Sequence, residues 1–172
     1  MRTWTVRPRE RGAKSDVAIV STMMDFEQLA FIEKWRQKAS RGVVIALDGT
    51  RGDIVVTLRV GELGERLDMR GQDATGAVRK QRLAIGDRVF MAIEYRASDV
   101  RAGTGDRSVS GGLVAPGARV SGIAVETGDV AVVDCGVPVL IRGEALASFH
   151  EGDAVELAID GEGKAYLIPT RG

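Results

Sequence analysis

Short apolar stretches alternate with turns that contain Gly, Asp or Glu over most of the chain from Gly42 onward. Val, Ile and Thr favour strands, and glycine beside an acidic residue favours a tight turn. The alternation predicts eight strands in two sets. The first set is 43–47, 53–60 and 88–95, and the second set is 119–125, 129–133, 138–141, 154–159 and 164–168.

One segment, residues 25–39, has the period of a helix instead. Phe26, Leu29, Ile32 and Trp35 recur on one side of it, and charged residues occupy the other side. This pattern predicts an amphipathic helix that covers one face or end of a sheet. A helix that binds a partner protein is the alternative.

Together these elements predict a mainly β protein of two small β-barrel or sandwich units, with one amphipathic helix near the N-terminus. A Gly- and Ser-rich stretch between the two sets of strands indicates a flexible loop or linker. The predicted divisions are a basic arm with a short strand and the helix at 1–41, a first β unit at 42–100, the loop or linker at 101–117, and a second β unit at 118–172.

A twelve-residue pattern occurs twice in the chain. Residues 83–94 read LAIGDRVFMAIE and residues 149–160 read FHEGDAVELAID, with five identical positions. In each copy, a Gly-Asp turn leads into a strand whose apolar residues recur at every second position. The repetition predicts a duplicated structural unit, and it gives neither aspartate a catalytic role.

The residue types needed for catalysis are sparse. His150 is the only histidine, and its place just before a turn predicts a solvated side chain. Cys135 is the only cysteine, and its apolar surroundings predict a buried and inert thiol. No cluster has the spacing of a metal site, and no nucleophile or phosphate-binding motif is present. We therefore expect no enzymatic activity, no cofactor and no metal.

Charge is distributed unevenly along the chain. Residues 1–52 carry 10 basic and 6 acidic side chains, whereas residues 111–172 carry 4 and 9. The positive end suits contact with an acidic protein surface, including that of a neighbouring copy, and the acidic end argues against nucleic acid as a partner. The residues predicted to contact a partner are Arg2, Trp4, Arg7, Arg9, Arg11 and Lys14.

No apolar run approaches the ~20 residues that a membrane-spanning helix needs, and the charged first residues do not resemble a signal peptide. We expect no membrane association. The predicted location is the virion if the protein is encoded by a phage, and otherwise the cytoplasm.

The second β unit resembles the β-barrel decoration, or cement, proteins of tailed-phage capsids. The similar segments are 122–125, 133–137, 143–146, 152–155 and 160–165. The resemblance implies a non-enzymatic structural protein that binds a capsid, or another large assembly, in many copies. It also implies a homo-oligomer.

The chain is also similar, more weakly, to the tandem oxyanion-binding barrels of molybdate transport and sensing proteins. Residues 83–89 and 96–100 carry this similarity, since they match the closing strand of those barrels. It implies a small module that binds an oxyanion. A barrel of the OB type that binds single-stranded nucleic acid is a further alternative, for which Phe90, Tyr95 and Tyr166 are the aromatic candidates.

Overall fold

A computed structural model describes residues 30–31, 33–35, 38–50, 53–61, 67–80 and 82–170. The chain divides into two compact units, residues 1–36 and residues 37–172. The described strands all belong to the second unit. The predicted helix at 25–39 is described only in part. Ala30, Phe31, Glu33 and Lys34 are helical, and the Trp35 N–H donates to the Phe31 carbonyl at 2.9 Å.

The second unit is mainly β, as the sequence predicts, and its ten strands form one continuous sheet. The strands are β1 (Ser40–Thr50), β2 (Asp53–Val60), β3 (Leu67–Asp73), β4 (Arg88–Ala102), β5 (Ser108–Val109), β6 (Leu113–Val114), β7 (Arg119–Glu126), β8 (Val130–Asp134), β9 (Pro138–Arg142) and β10 (Ala154–Pro169). A single helical turn, α1 (Ala77–Lys80), follows β3.

The sheet closes on itself twice, which makes two five-stranded barrels. The first barrel comprises β1, β2, β3, the second half of β10 and the first half of β4. The second barrel comprises β7, β8, β9, the second half of β4 and the first half of β10. Each long strand therefore starts in one barrel and continues into the other. Both barrels contribute to one buried apolar cluster.

The repeated twelve-residue segments occupy equivalent places in the two barrels. In each copy a Gly-Asp turn begins a long strand, β4 in the first barrel and β10 in the second. The Asp87 carboxylate accepts a hydrogen bond from the Ala84 N–H at 2.9 Å, and the Asp153 carboxylate accepts one from the His150 N–H at 2.8 Å. The repetition in sequence thus corresponds to a repeated structural unit, and both aspartates stabilise turns.

Glycine permits close packing where the two barrels join. An added Cβ at Gly163 in β10 would lie 2.5 Å from Cε1 of Tyr95 and 3.0 Å from Cγ2 of Ile93. The Tyr95 ring is buried, and its hydroxyl donates to the Arg70 carbonyl at 2.9 Å. Burial raises the pKa of the Tyr95 hydroxyl well above its ordinary value. A neutral, hydrogen-bonded tyrosine therefore fills the space that this glycine leaves.

The same glycine explains an error in the predicted strands. Segments 154–159 and 164–168 were predicted as separate strands joined by a turn, but β10 is continuous, with a register shift between Asp160 and Lys164. Gly163 pairs in parallel with Gly71 of β3 at this point. The glycine meets a requirement for close approach within a strand and does not end it.

The Gly- and Ser-rich segment 101–117 is tied to both barrels. It begins with the last residues of β4, which extends beyond the predicted boundary at residue 100. Within the segment, β5 pairs with β7 of the second barrel and β6 pairs with β3 of the first. Val114 of β6 is fully buried. The segment predicted as a flexible loop or linker thus contains two short strands, one paired with each barrel.

Candidate anion-binding site

The single histidine of the chain lies at the surface, and the single cysteine is buried. The His150 side chain is 87% exposed beside Asp153. Cys135 is buried, and desolvation raises the pKa of its thiol to about 11, which confirms the prediction of a buried thiol. Among the described residues, no group of three or more His, Cys, Asp or Glu side chains could hold a metal ion.

The six residues predicted to contact a partner, Arg2, Trp4, Arg7, Arg9, Arg11 and Lys14, lie outside the described residues. The capsid-binding role and the homo-oligomer predicted with them therefore stay predictions, as does the absence of enzymatic activity. Within the described part of the chain, no helix is both long and apolar enough to cross a membrane.

A small cavity beside α1 has the composition of an anion site. Its volume is about 160 Å³, and it is lined by Ile54, Asp73, Gly76, Arg79 and Lys80. β3 ends at Asp73, and the chain then turns into α1, which places both basic residues in the last turn of that helix. Two cations and one carboxylate thus line a space with a formal charge of +1.

The carboxylate in this cavity is already engaged by the protein. Asp73 Oδ1 accepts hydrogen bonds from the Thr75 N–H at 3.1 Å, the Thr75 hydroxyl at 2.9 Å and the Gly76 N–H at 3.1 Å. Its Oδ2 accepts one from the Val78 N–H at 2.9 Å. Four donors therefore stabilise the charge of Asp73 and position the turn, as a helix N-cap does.

The surroundings of the two cations differ from those of Asp73. Arg79 and Lys80 are exposed, and neither side chain forms an ion pair with a carboxylate of the described residues. A methyl group at Gly76 would lie 3.5 Å from Cε and 3.9 Å from Nζ of Lys80, so the lysine side chain folds back over the glycine. The ammonium group therefore lies beside the cavity, and no carboxylate of the described residues forms an ion pair with it.

The turn that carries these cations is anchored to the barrel. The Ala74 N–H donates to the Ala165 carbonyl at 2.9 Å, and the Thr75 hydroxyl oxygen lies 3.4 Å from the carbonyl oxygen of Leu167. Both carbonyls belong to β10, the strand that the two barrels share. The cavity is therefore attached to rigid elements, which suits a binding site.

A larger cavity of about 580 Å³, at the end of the second barrel, has different electrostatics. Arg142 lines it together with Asp129 and Glu144. The Arg142 guanidinium is already paired with the Glu94 carboxylate, with Nη2 2.9 Å from Oε1. The cation of this cavity is thus neutralised, and the remaining charges are acidic. The α1 cavity suits an anion better.

Sequence reasoning did not identify Asp73, Arg79 or Lys80. One signal was available: an aspartate followed by Ala-Thr-Gly-Ala-Val-Arg-Lys has the form of a capped helical turn that ends in two cations. The turn has a single helical period, so the apolar pattern gave no indication of it.

The chain has few detectable similarities to known proteins. No family model matches the chain, and no curated protein matches it. One solved structure that it resembles is that of the cytoplasmic molybdate-binding protein ModG with molybdate bound. The two chains share 19% identity at a TM-score of 0.40, over 74% of this chain and 94% of that chain.

ModG is a molybdate-binding protein. The weaker of the two resemblances found in the sequence is also to proteins of molybdate transport and sensing. At this identity and TM-score, the match assigns no ligand to this chain. The resemblance to capsid decoration proteins has no counterpart in these comparisons. The fold and the cavity together define a protein of two strand-sharing barrels with a candidate anion site on the first.

Proposed function

We propose that this chain is a non-enzymatic module that binds a small oxyanion in the cavity beside α1. The observation that carries the proposal is the pair of cations, Arg79 and Lys80, which line a cavity of about 160 Å³ without a partner carboxylate among the described residues. A tetrahedral oxyanion is smaller than this cavity and accepts hydrogen bonds from both types of side chain.

The electrostatics of the turn favour binding of an anion over formation of an ion pair between Asp73 and either cation. Asp73, the carboxylate that lines the cavity, accepts hydrogen bonds from three backbone N–H groups and one hydroxyl, and it forms no ion pair with Arg79 or Lys80. An incoming oxyanion supplies the negative charge that the cavity lacks. The expected affinity is moderate and sensitive to salt, because both cations are exposed.

The experiment measures melting temperature and binding heat with molybdate, tungstate and sulfate at low ionic strength. A ligand that binds only the folded chain raises the melting temperature in proportion to the logarithm of its concentration. The double variant Arg79→Ala/Lys80→Ala is expected to bind the preferred anion roughly 2- to 30-fold more weakly, since each exposed ion pair contributes about 0.2–1 kcal/mol.

A matched control removes the same two side-chain types elsewhere. Arg96→Ala/Lys164→Ala lowers the net charge equally, and neither residue lines the α1 cavity. This control is expected to retain the wild-type affinity. Equal weakening in both double variants would show that the anion responds only to net charge, and the proposed site would be wrong.

A further inference from the structure

The cavity beside α1 contains a carboxylate as well as two cations, and this bears on which oxyanions it accepts. Asp73 lines the cavity together with Arg79 and Lys80. It is half-buried, and hydrogen bonds to the turn fix the position of its side chain. An anion in the cavity therefore meets two cations and one fixed negative charge.

The two oxygens of the Asp73 carboxylate are used unequally by the turn. Each carboxylate oxygen has about two lone pairs that accept hydrogen bonds. Oδ1 accepts from the Thr75 N–H, the Thr75 hydroxyl and the Gly76 N–H. Among the described residues, only the Val78 N–H donates to Oδ2, at 2.9 Å. Oδ2 therefore keeps a lone pair for one further donor.

The two cations of the cavity leave this remaining acceptor unused. Arg79 and Lys80 are exposed, and neither forms an ion pair with Asp73 or with another carboxylate of the described residues. The cavity thus offers donors from the cations and one acceptor from Asp73. A ligand that matches both has acceptor oxygens and a hydroxyl group.

Tetrahedral oxyanions differ in whether they carry such a hydroxyl. Sulfate, molybdate and tungstate have no proton at neutral pH, so every oxygen that they present is an acceptor. Hydrogen phosphate has the shape and the charge of sulfate, but one of its oxygens is a hydroxyl. A hydroxyl that donates to a carboxylate forms a strong hydrogen bond, whereas an acceptor oxygen in the same place is repelled by it.

We infer that the α1 cavity prefers an oxyanion that keeps a proton at neutral pH, the chemical class of hydrogen phosphate and hydrogen arsenate. The ligand hydroxyl donates to Asp73 Oδ2, and the other ligand oxygens accept from Arg79 and Lys80. Sulfate, molybdate and tungstate bind to the same two cations more weakly. This inference rests on the proposed function, because it concerns the ligand preference of the same site.

The test compares hydrogen phosphate with sulfate and fluorophosphate, all as dianions. Fluorophosphate has a fluorine atom in place of the hydroxyl, so it has no proton to donate above its second pKa. The full chain is titrated calorimetrically with each anion at low ionic strength, above the second pKa of phosphate, and the melting temperature is followed in parallel. Hydrogen phosphate is expected to bind about tenfold more tightly than either, the effect of one hydrogen bond to a charged group in a cavity open to water.

The variant Asp73→Asn tests the role of the carboxylate. Asparagine keeps one acceptor oxygen for the turn and has an NH2 group in place of the other oxygen, and this group donates to any oxyanion. Sulfate is therefore expected to bind this variant more tightly than the wild type. The preference for hydrogen phosphate over sulfate is expected to fall from about tenfold to less than about threefold.

A matched control removes the same charge close to the cavity but outside its lining. Asp53 precedes Ile54, which lines the cavity, and Asp53 Oδ1 accepts a hydrogen bond from Gln72 Nε2 at 2.8 Å. Asp53→Asn is expected to strengthen the binding of both anions alike and to keep the wild-type preference. An equal loss of preference in Asp53→Asn and Asp73→Asn would assign the effect to net charge and overturn the inference.

The remaining outcomes separate this inference from the proposed function. If sulfate or fluorophosphate binds the wild type as tightly as hydrogen phosphate, and Arg79→Ala/Lys80→Ala weakens that binding, the inference is wrong and the proposed function stands. If none of the anions binds at about 10 mM, a concentration that detects millimolar affinity, both are wrong. The comparison of the anions needs no variant, so it decides the matter even if Asp73→Asn does not fold.

Discussion

Replacing Arg142 by methionine is expected to destabilise the chain far more than its surface position indicates. Its guanidinium pairs with Glu94 at the point where β4 passes from the first barrel to the second. The two side chains differ greatly in exposure, at 54% for Arg142 and 3% for Glu94. Loss of the arginine therefore leaves a carboxylate buried without a countercharge.

The expected loss of stability follows from this difference in exposure between Arg142 and Glu94. Removing one partner of a fully buried ion pair costs about 3–5 kcal/mol. Because Arg142 is half exposed, water replaces part of the lost interaction, and we expect about 2–4 kcal/mol for Arg142→Met. For a chain of this size, that corresponds to a fall in melting temperature of about 5–15 °C.

Replacing the other partner of the pair, Glu94, is expected to cost less stability. Glu94→Gln leaves the Arg142 guanidinium in contact with water, and the loss is about 0.5–1.5 kcal/mol for one hydrogen-bonded interaction. The double variant Glu94→Gln/Arg142→Met is expected to be more stable than Arg142→Met alone, since no charge then remains buried. This rescue would not occur if Arg142 acted only through packing of its aliphatic stem.

Urea unfolding followed by circular dichroism measures these differences as shifts of the midpoint at constant slope. Arg101→Met is the matched control, because its ion pair with Glu156 is exposed and is expected to contribute less than about 1 kcal/mol. The reasoning is refuted if Arg142→Met costs no more than this control, or if Glu94→Gln fails to rescue it.

Four further predictions concern other parts of the barrels. Gly163→Ala is expected to cost about 1–3 kcal/mol, because its Cβ would overlap the buried Tyr95 ring, and a urea midpoint within error of wild type would contradict this. Asp87→Ala and Asp153→Ala are expected to cost similar amounts, about 0.5–2 kcal/mol each, because the two carboxylates make equivalent turn hydrogen bonds. A large difference in urea midpoint would show that the repeat is not equivalent energetically. Asp73→Ala is expected to destabilise more than Asp73→Asn, which keeps one acceptor oxygen for the donors at the α1 turn, and thermal unfolding of the two variants tests the order. Stability is expected to fall as pH rises from about 8.5, where an unfolded thiol ionises, to about 11, where the folded Cys135 thiol does, because the unfolded chain then binds fewer protons. Cys135→Ala should show a shallower fall over that range, and an equal slope would contradict the assignment.

Much of the barrel architecture was accessible from the sequence. β2 occupies the predicted residues 53–60, and the twelve-residue repetition marked the two long strands. These elements are rich in Val and Ile, and buried positions alternate in the second half of β2 and the first half of β10. The sharing of the long strands between the barrels was not accessible, because it depends on pairing between residues far apart along the chain. Val155 pairs with Ala102, 53 positions away, and Lys164 pairs with Glu94, 70 positions away.

The missed strand β3 shows a different limit. Its buried positions are Leu67, Met69 and Gly71, which alternate as a strand should. Gly71 gives no apolar signal, although an added Cβ there would lie 3.0 Å from Cγ2 of Ile93. Where glycine fills a core-facing position, composition alone indicates a turn, and only the packing reveals the strand.

The candidate anion site was missed for a related reason. Its cations belong to a helical turn of four residues, and the carboxylate beside them accepts hydrogen bonds that form only in the folded backbone. Sequence supplies the residue types at this turn. The absence of a partner for Arg79 and Lys80 among the described residues appears only in three dimensions.

The most direct test of the oxyanion-binding proposal is a crystal structure of the chain grown with tungstate at low ionic strength. Tungsten scatters anomalously, so a bound ion is located without reference to the surrounding protein. We predict a peak in the cavity beside α1, within hydrogen-bonding distance of Arg79 and Lys80, which Arg79→Ala/Lys80→Ala abolishes. Crystals of the wild type with no peak there, at a tungstate concentration that saturates binding in solution, would contradict the proposed function.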